Sequence, residues 1–242
     1  MAPIKGSKVL VTGSNRGLGR ALVQAFLGGV AATVYAAVRD ARKAVFEHPR
    51  VQTVELDVTN DTSVAEAVAR CGDVDYVVNN AATLFNTPLI GVPDLEGARN
   101  EMETNYWGVL RMCRAFAPPL SSPRNGAIVN ILSIGSLTSV PFCGSYCASK
   151  AAAWSLTQAV RAELAPQGVS VVAAFPGPIA TEMARPEDKG ARCPPDVMAK
   201  TIVEALGAGE TMIFPDVVSQ AFAAHYAASP LSMAVRVPAT AE

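Results

Sequence analysis

The chain opens on a short strand-forming run, Lys8-Val9-Leu10-Val11-Thr12, which leads directly into Gly13-Ser14-Asn15-Arg16-Gly17-Leu18-Gly19 and then into an alanine-rich stretch that reads as a helix through about residue 27. Strand, glycine turn and helix in that order constrain the fold more than any other feature of the sequence. Glycines at such a turn let the backbone lie close to a pyrophosphate, and the helix start supplies unpaired N–H groups and the positive end of a dipole. The spacing is T-G-x-x-x-G-x-G, and the plain alternative is a tight turn without a ligand.

The rest of the chain repeats the alternation. Strands are predicted over residues 33–38, 51–56, 74–78, 127–132, 169–175 and 211–214, and helices over 59–69, 94–117, 146–165 and 197–206, with a short helical tail. Pro118-Pro119 is expected to stop the long helix. Alternating strands and helices predict a parallel sheet covered on both faces. With no internal repeat and no linker, the 242 residues are expected to form one domain. Residues 182–195, rich in proline and charge, are expected to form a mobile lid.

Several strand ends carry distinctive residues. After the second strand come Arg39 and Asp40, where a dinucleotide fold reads the adenosine ribose. An arginine there accommodates a 2′-phosphate, and Arg16 can approach the same group. A register shift of one would instead present Asp40, an acid suited to a free 2′-hydroxyl, so both cofactor types stay open at this point. The third strand closes with Asp57-Val58, whose carboxylate is placed to meet an adenine amino group. The fourth runs into Asn79-Asn80-Ala81-Ala82, small enough to lie against a flat cofactor. Asn105 sits in the middle of an otherwise apolar helix, where its propensity is poor.

The chemistry is concentrated in residues 130–150. Ser133 follows an apolar strand, at the end where open α/β sheets bind ligands. Tyr146 and Lys150 stand four apart, which places phenol and ammonium on one helix face. A nearby cation is expected to lower the phenol's pKa toward the range useful for acid–base catalysis.

Charge and cysteine usage exclude other classes. The net charge of −1 shows no basic face for nucleic acid or anionic membrane. Proline and glycine interrupt the longest apolar run, so no membrane span is expected. The first strand starts near Lys8, so no signal peptide is expected. Five cysteines without a C-x-x-C pair fit reduced thiols in the cytoplasm rather than a metal or disulfide role.

Taken together, these residues resemble the short-chain dehydrogenase/reductase family over nearly the whole chain. T-G-S-N-R-G-L-G is similar to its cofactor loop, and Asn79-Asn80-Ala81-Ala82 to its N-N-A-G, with alanine in the last place. The resemblance implies a single Rossmann-type domain, a doubly wound α/β parallel sheet. It implies an Asn105–Ser133–Tyr146–Lys150 tetrad, with Asn105 holding a water that links Lys150 to solvent. It implies an NADP(H) site of Gly13, Ser14, Asn15, Arg16, Gly17, Leu18, Gly19, Arg39, Asp57, Val58, Asn80, Ala81, Ala82, Tyr146, Lys150, Pro176, Gly177, Ile179 and Thr181. The expected reaction is reduction of a hydrophobic ketone or aldehyde. The pocket, placed by position, is Leu84, Phe85, Ile134, Leu137, Pro141, Phe142, Ile179 and Met183, nearly all apolar. An NAD-dependent alcohol dehydrogenase and a non-catalytic dinucleotide-binding regulator are the competing readings. The surplus of apolar residues on residues 94–117 and 146–165 predicts a homo-oligomer, tetramer over dimer.

Overall fold

A computed structural model describes residues 1–86, 88–121, 125–183 and 192–228. Seven parallel strands form one sheet: β1 (Lys8–Thr12), β2 (Thr33–Val38), β3 (Val51–Glu55), β4 (Tyr76–Asn79), β5 (Ala127–Ile131), β6 (Ser170–Ala174) and β7 (Met212–Ile213). Their order across the sheet is β3-β2-β1-β4-β5-β6-β7. The chain winds outward from β1 in one direction, then returns and winds outward from β4 in the other. β1 and β4 are therefore neighbours at the reversal, with Val9, Leu10 and Val11 paired to Tyr76, Val77 and Val78. A crevice opens at the carboxyl ends of strands where their order reverses in this way.

The strands are buried on both faces because successive side chains point to opposite sides. Val9 and Val11 of β1 face one core with Leu22 and Phe26 of α1 (Gly17–Gly28) and Ile202 of α6 (Pro195–Gly207). Leu10, between them, faces the other. There it meets Val64 of α2 (Asp61–Cys71), Met112 and Phe116 of α4 (Val109–Leu120), and Val160 of α5 (Gly144–Leu164). β5 divides likewise, with Val129 in the first core and Ile128 in the second.

The expected long helix over residues 94–117 is three segments. α3 (Glu96–Met102) passes into a π-helical turn, Glu103–Gly108, and then into α4. Gly108 closes the turn because Val58 presses on it: a Cβ there would stand 2.8 Å from the Val58 side chain. Pro118-Pro119 does not stop the helix as expected; both lie in its last turn, and it ends after the fully buried Leu120. Each proline removes an N–H that would bond the carbonyl one turn back, and the helix nevertheless runs on to Leu120, whose burial anchors its end. α7 (Val217–Ala228) is the last described helix. Most of the expected lid, residues 184–191, lies outside the described residues. No helix among the described residues is long and apolar enough to cross a membrane.

Candidate active site

The glycine turn after β1 is shaped by close approach. Gly13 has φ 68°, a conformation that side-chain-bearing residues avoid, and a Cβ on it would stand 2.9 Å from the Ala81 backbone. A Cβ on Gly19 would run into the Gly13 carbonyl and lie 2.5 Å from the Asn80 amide. The turn therefore seats α1 against the end of β4. Thr12 is the hub: its Oγ1 donates to Val78 O and accepts from the backbone N–H of Asn80 and of Ala81. The Asn80 side chain donates to Thr12 O at 2.8 Å. Ser14 is buried and spends its hydroxyl on Val11 O, while Leu18 belongs to the core. These two hold the turn's shape. Thr181 packs beside Gly17, and exposed Arg16 pairs with Glu182, which brings the segment after β6 over the glycine turn.

At the tip of β2, Arg39 is exposed and makes no hydrogen bond or ion pair among the described residues. Asp40 caps a single 3₁₀ turn, Ala41–Lys43, and is held by the Arg42 fork through Nε to Oδ1 at 2.9 Å and Nη2 to Oδ2 at 3.1 Å. Sequence reading overlooked Arg42, although a cation two residues after an acid is a visible cue. Asp57 accepts from the Thr59 backbone and hydroxyl, and Val58 is buried against Gly108. Ala82 is half-buried.

The acid–base half lies at the ends of β5 and β6. Ser133 caps the 3₁₀ turn Ile134–Ser136, with its Oγ accepting from Gly135 N–H at 3.0 Å. The same hydroxyl stands near enough to the Tyr146 phenol to favour its ionised form. Burial pushes that phenol above the ordinary tyrosine value; Ser133 pulls it down, and Cys147, Cys143 and Glu101 push it further up. The expected lowering by Lys150 is thus not what this arrangement gives. Lys150 is itself buried, and desolvation lowers it to about 8. Its Nζ donates to Ile131 O at 2.8 Å, and it stands 5.8 Å from the centre of the Tyr146 ring.

Asn105 lies in the π-helical turn and is fully buried. Its Oδ1 accepts from Thr83 N–H at 2.9 Å, and its Nδ2 donates to Thr83 O at 3.0 Å and to Ser149 Oγ at 2.9 Å. The side-chain amide is spent on protein partners, so the expected task of holding a water does not fall to its donors.

Pro176 and Gly177 follow β6. A residue missed in the sequence fixes them: Asp216 accepts from Gly177 N–H at 2.8 Å through Oδ2 and from Ser219 N–H through Oδ1. A Cβ on Gly177 would stand 2.7 Å from that carboxylate. The D-x-x-S spacing of a helix cap was the available signal. Ile179 and Leu137, two expected pocket residues, also pack on the core, while Phe85, Phe142 and Met183 are exposed and Leu84, Ile134 and Pro141 lie at the surface or half-buried. Of these eight only Phe85 lines a cavity of about 410 Å³, which is walled also by Leu89, Leu95 and Ser145 and by the polar Asp94, Glu96 and Asn100.

A glycine cradle at the sheet's reversal point, together with a phenol near a serine and a buried lysine, defines a dinucleotide-dependent oxidoreductase. The model of the short chain dehydrogenase family matches residues 7–192. The chain is 40% identical to a short-chain dehydrogenase of Burkholderia cenocepacia solved in complex with NADP, with 95% of this chain and 96% of that one covered and a TM-score of 0.90. It is 36% identical over 195 residues to the short-chain dehydrogenase PC-15 of Penicillium crustosum, which covers 78% of this chain and 70% of that protein. It is also 34% identical over 181 residues to the NADPH-dependent 1-acyldihydroxyacetone phosphate reductase of Schizosaccharomyces pombe, covering 72% of this chain and 60% of that protein. The chain belongs to the short-chain dehydrogenase family and is an oxidoreductase.

Proposed function

We propose that this enzyme uses NADP(H) to reduce a hydrophobic ketone or aldehyde to its alcohol, reversibly, with Tyr146 as the general acid. The observation that carries the reading is that Tyr146, beside Ser133 at the carboxyl end of β5, has the Lys150 ammonium 5.8 Å from its ring centre. When bound, NADPH supplies the hydride. The protein's own residues do the rest. Ser133 holds the carbonyl oxygen, Tyr146 gives that oxygen its proton, and Lys150 binds ribose hydroxyls with the donors not used on Ile131. Asn105 acts by position, tying the Thr83 backbone to Ser149 on the catalytic helix.

The crowding at Gly13 and Gly19 fits a dinucleotide, because it leaves no side chain between the backbone and a pyrophosphate. Gly13 to Gly19 would take the phosphates, Asp57 and Val58 the adenine, and Asn80, Ala81 and Ala82 the adenine ribose and its neighbourhood. Pro176, Gly177, Ile179 and Thr181 would take the nicotinamide end. Arg39 would pair with the 2′-phosphate. Preference for NADP over NAD is supported by Asp40, whose carboxylate is engaged by Arg42 rather than held out for a ribose hydroxyl. The NADP-bound relative of B. cenocepacia and the yeast relative point the same way.

The apolar character of Phe85, Leu89, Leu95, Phe142 and Met183 supports a hydrophobic substrate. Five cysteines, none of them in a disulfide among the described residues, support a cytoplasmic location, and the half-buried apolar residues of α4 and α5 support a homo-oligomer. The direct test is a fluorescence titration with NADPH and NADH, followed by cofactor absorbance decay over a panel of ketones graded in polarity. Tighter NADPH binding and turnover that rises with apolar character are expected. Preference for NADH, or for polyols and acids, would overturn the reading.

A further inference from the structure

Asp216 is buried, and it spends its two carboxylate oxygens in two directions. It stands immediately before α7. Oδ1 accepts from Ser219 N–H at 3.0 Å, and the Ser219 hydroxyl accepts from Asp216 N–H at 3.1 Å. That reciprocal pair caps the helix and needs only one side-chain oxygen, so a serine or an asparagine would cap about as well. The second oxygen, Oδ2, reaches out of the helix to Gly177 N–H at 2.8 Å. An aspartate at this place is therefore explained by Gly177 and not by α7.

Gly177 belongs to the turn by which the chain leaves β6. Phe175 N–H is bonded to Ile213 O of β7 at 2.8 Å, and Pro176 has no N–H to offer. Pro176 O accepts from Ile134 N–H at 3.0 Å, directly after Ser133. The turn is thus clamped from two sides, by the end of β5 through Pro176 and by the start of α7 through Gly177. The Phe175 and Phe214 rings, stacked with centres 4.9 Å apart, brace the same junction. The carboxylate approaches closely enough to require glycine, since a Cβ on Gly177 would stand 2.7 Å from Oδ1. Further along, Thr181 packs beside Gly17, so the clamped turn leads straight to the glycine cradle.

We propose that Asp216 is a positioning residue for the nicotinamide end of the cofactor: its Oδ2 holds the Gly177 backbone, and with it the turn from Pro176 to Thr181, in place to receive the nicotinamide. It acts through Gly177 and not by contact with the cofactor. The adenosine half would rest with Arg39, Asp57 and Val58 at other strand ends, so it does not depend on this bond. The proposal rests on the reading that residues 176–181 take the nicotinamide of NADP(H).

The test uses the full chain and two probes: NADPH, and adenosine 2′,5′-bisphosphate, which is the adenosine half of NADP without its nicotinamide. Affinities are measured by calorimetry, and turnover with a hydrophobic ketone is followed separately. Asp216→Ser keeps an oxygen for the α7 cap and removes the one on Gly177. It should weaken NADPH roughly tenfold, the scale of one lost hydrogen bond, and leave the bisphosphate unchanged. Its kcat should fall by between about tenfold and ~10²-fold, the scale for a misplaced reactant. Ser219→Ala is the counterpart: it strips the cap and keeps the Gly177 bond, so it should lower the thermal midpoint and leave both affinities in place. Equal losses for the two probes in Asp216→Ser, or no loss for either, overturn the proposal, because a merely structural aspartate would not single out the nicotinamide half. Should Asp216→Ser fail to fold, Gly177→Ala decides, since its methyl drives the turn off the carboxylate. NADPH weakened with the bisphosphate spared supports the proposal, and two affinities that stay together overturn it. Failure of the underlying reading shows in the wild type, which would then not consume NADPH with a ketone, whereas failure of the Asp216 proposal leaves that turnover intact.

Discussion

Lys150 stands one helical turn beyond Tyr146, but its ammonium donates to the Ile131 carbonyl at 2.8 Å and not to the phenol. The backbone of β5 therefore fixes the lysine at the strand end, where it faces the same crevice as the tyrosine. A buried ammonium held in this way has a stability cost with a definite pH signature.

That cost gives the first prediction. Desolvation lowers Lys150 in the folded chain from 10.5 to about 8. Between these values the unfolded chain binds more protons than the folded one, so this group makes stability rise with pH across that window. Its penalty is fully present below about pH 8. Lys150→Met removes the titration and should gain thermal stability relative to wild type at neutral pH. The gain should shrink as pH rises through the window, and turnover should be lost throughout. Thermal melts of both proteins from neutral to alkaline pH check it; a constant difference contradicts it.

The glycine cradle gives the second. Gly19→Ala places a methyl against the Gly13 carbonyl and the Asn80 amide. Overpacking of this kind costs about 1–3 kcal/mol, and here it falls on the turn that receives the dinucleotide. Loss of NADPH binding together with a lowered thermal midpoint is expected, measured by fluorescence titration and calorimetry. Gly28→Ala, where an added Cβ meets nothing within 4 Å, serves as the control and should bind normally.

Arg39 gives the third. Its guanidinium is exposed at the tip of β2, while Arg42 is occupied by Asp40. Hydrogen bonds to charged groups contribute about 1.5–3 kcal/mol, so Arg39→Ala should weaken NADPH by roughly ten- to a hundredfold and leave NADH almost unchanged. Equal losses for both cofactors would show that the arginine does not meet the 2′-phosphate.

Assembly gives the fourth. Of the apolar residues within 94–117 and 146–165, Val109, Met112, Cys113, Phe116, Ala153, Val160 and Leu164 enter the core. Trp107, Ala151 and Ala159 remain exposed, and Tyr106, Leu110, Trp154 and Leu156 are half-buried. Light scattering coupled to size exclusion should report a multiple of 25.2 kDa, four in preference to two. A single species of that mass at micromolar concentration would refute the oligomer.

The parallel sheet was legible because burial on both faces writes continuous apolar strands, and the glycine turn because its spacing is local. What the sequence concealed is non-local or needs geometry. The π-helical turn around Asn105 has no periodicity of its own, and its link to Thr83 spans 22 positions. Asp216 lies 39 positions from the glycine it anchors. Pro118 and Pro119 announce a helix end by their lost donors, while the buried Leu120 beyond them carries α4 on to its own position. The pitch of the helix put Lys150 on the face of Tyr146, but pitch says nothing of desolvation, which outweighs the expected lowering of the phenol.

The central claim is that the Tyr146 hydroxyl, beside Ser133, gives the proton in an NADPH-dependent carbonyl reduction. Tyr146→Phe removes only that oxygen and keeps the ring. The most direct measurement is the rate of NADPH consumption with a hydrophobic ketone by the purified variant, alongside its NADPH affinity. The account predicts a fall in turnover of at least ~10²-fold, the scale of general acid–base catalysis, with NADPH binding largely retained. Turnover near the wild-type value in a variant that still binds NADPH would contradict it.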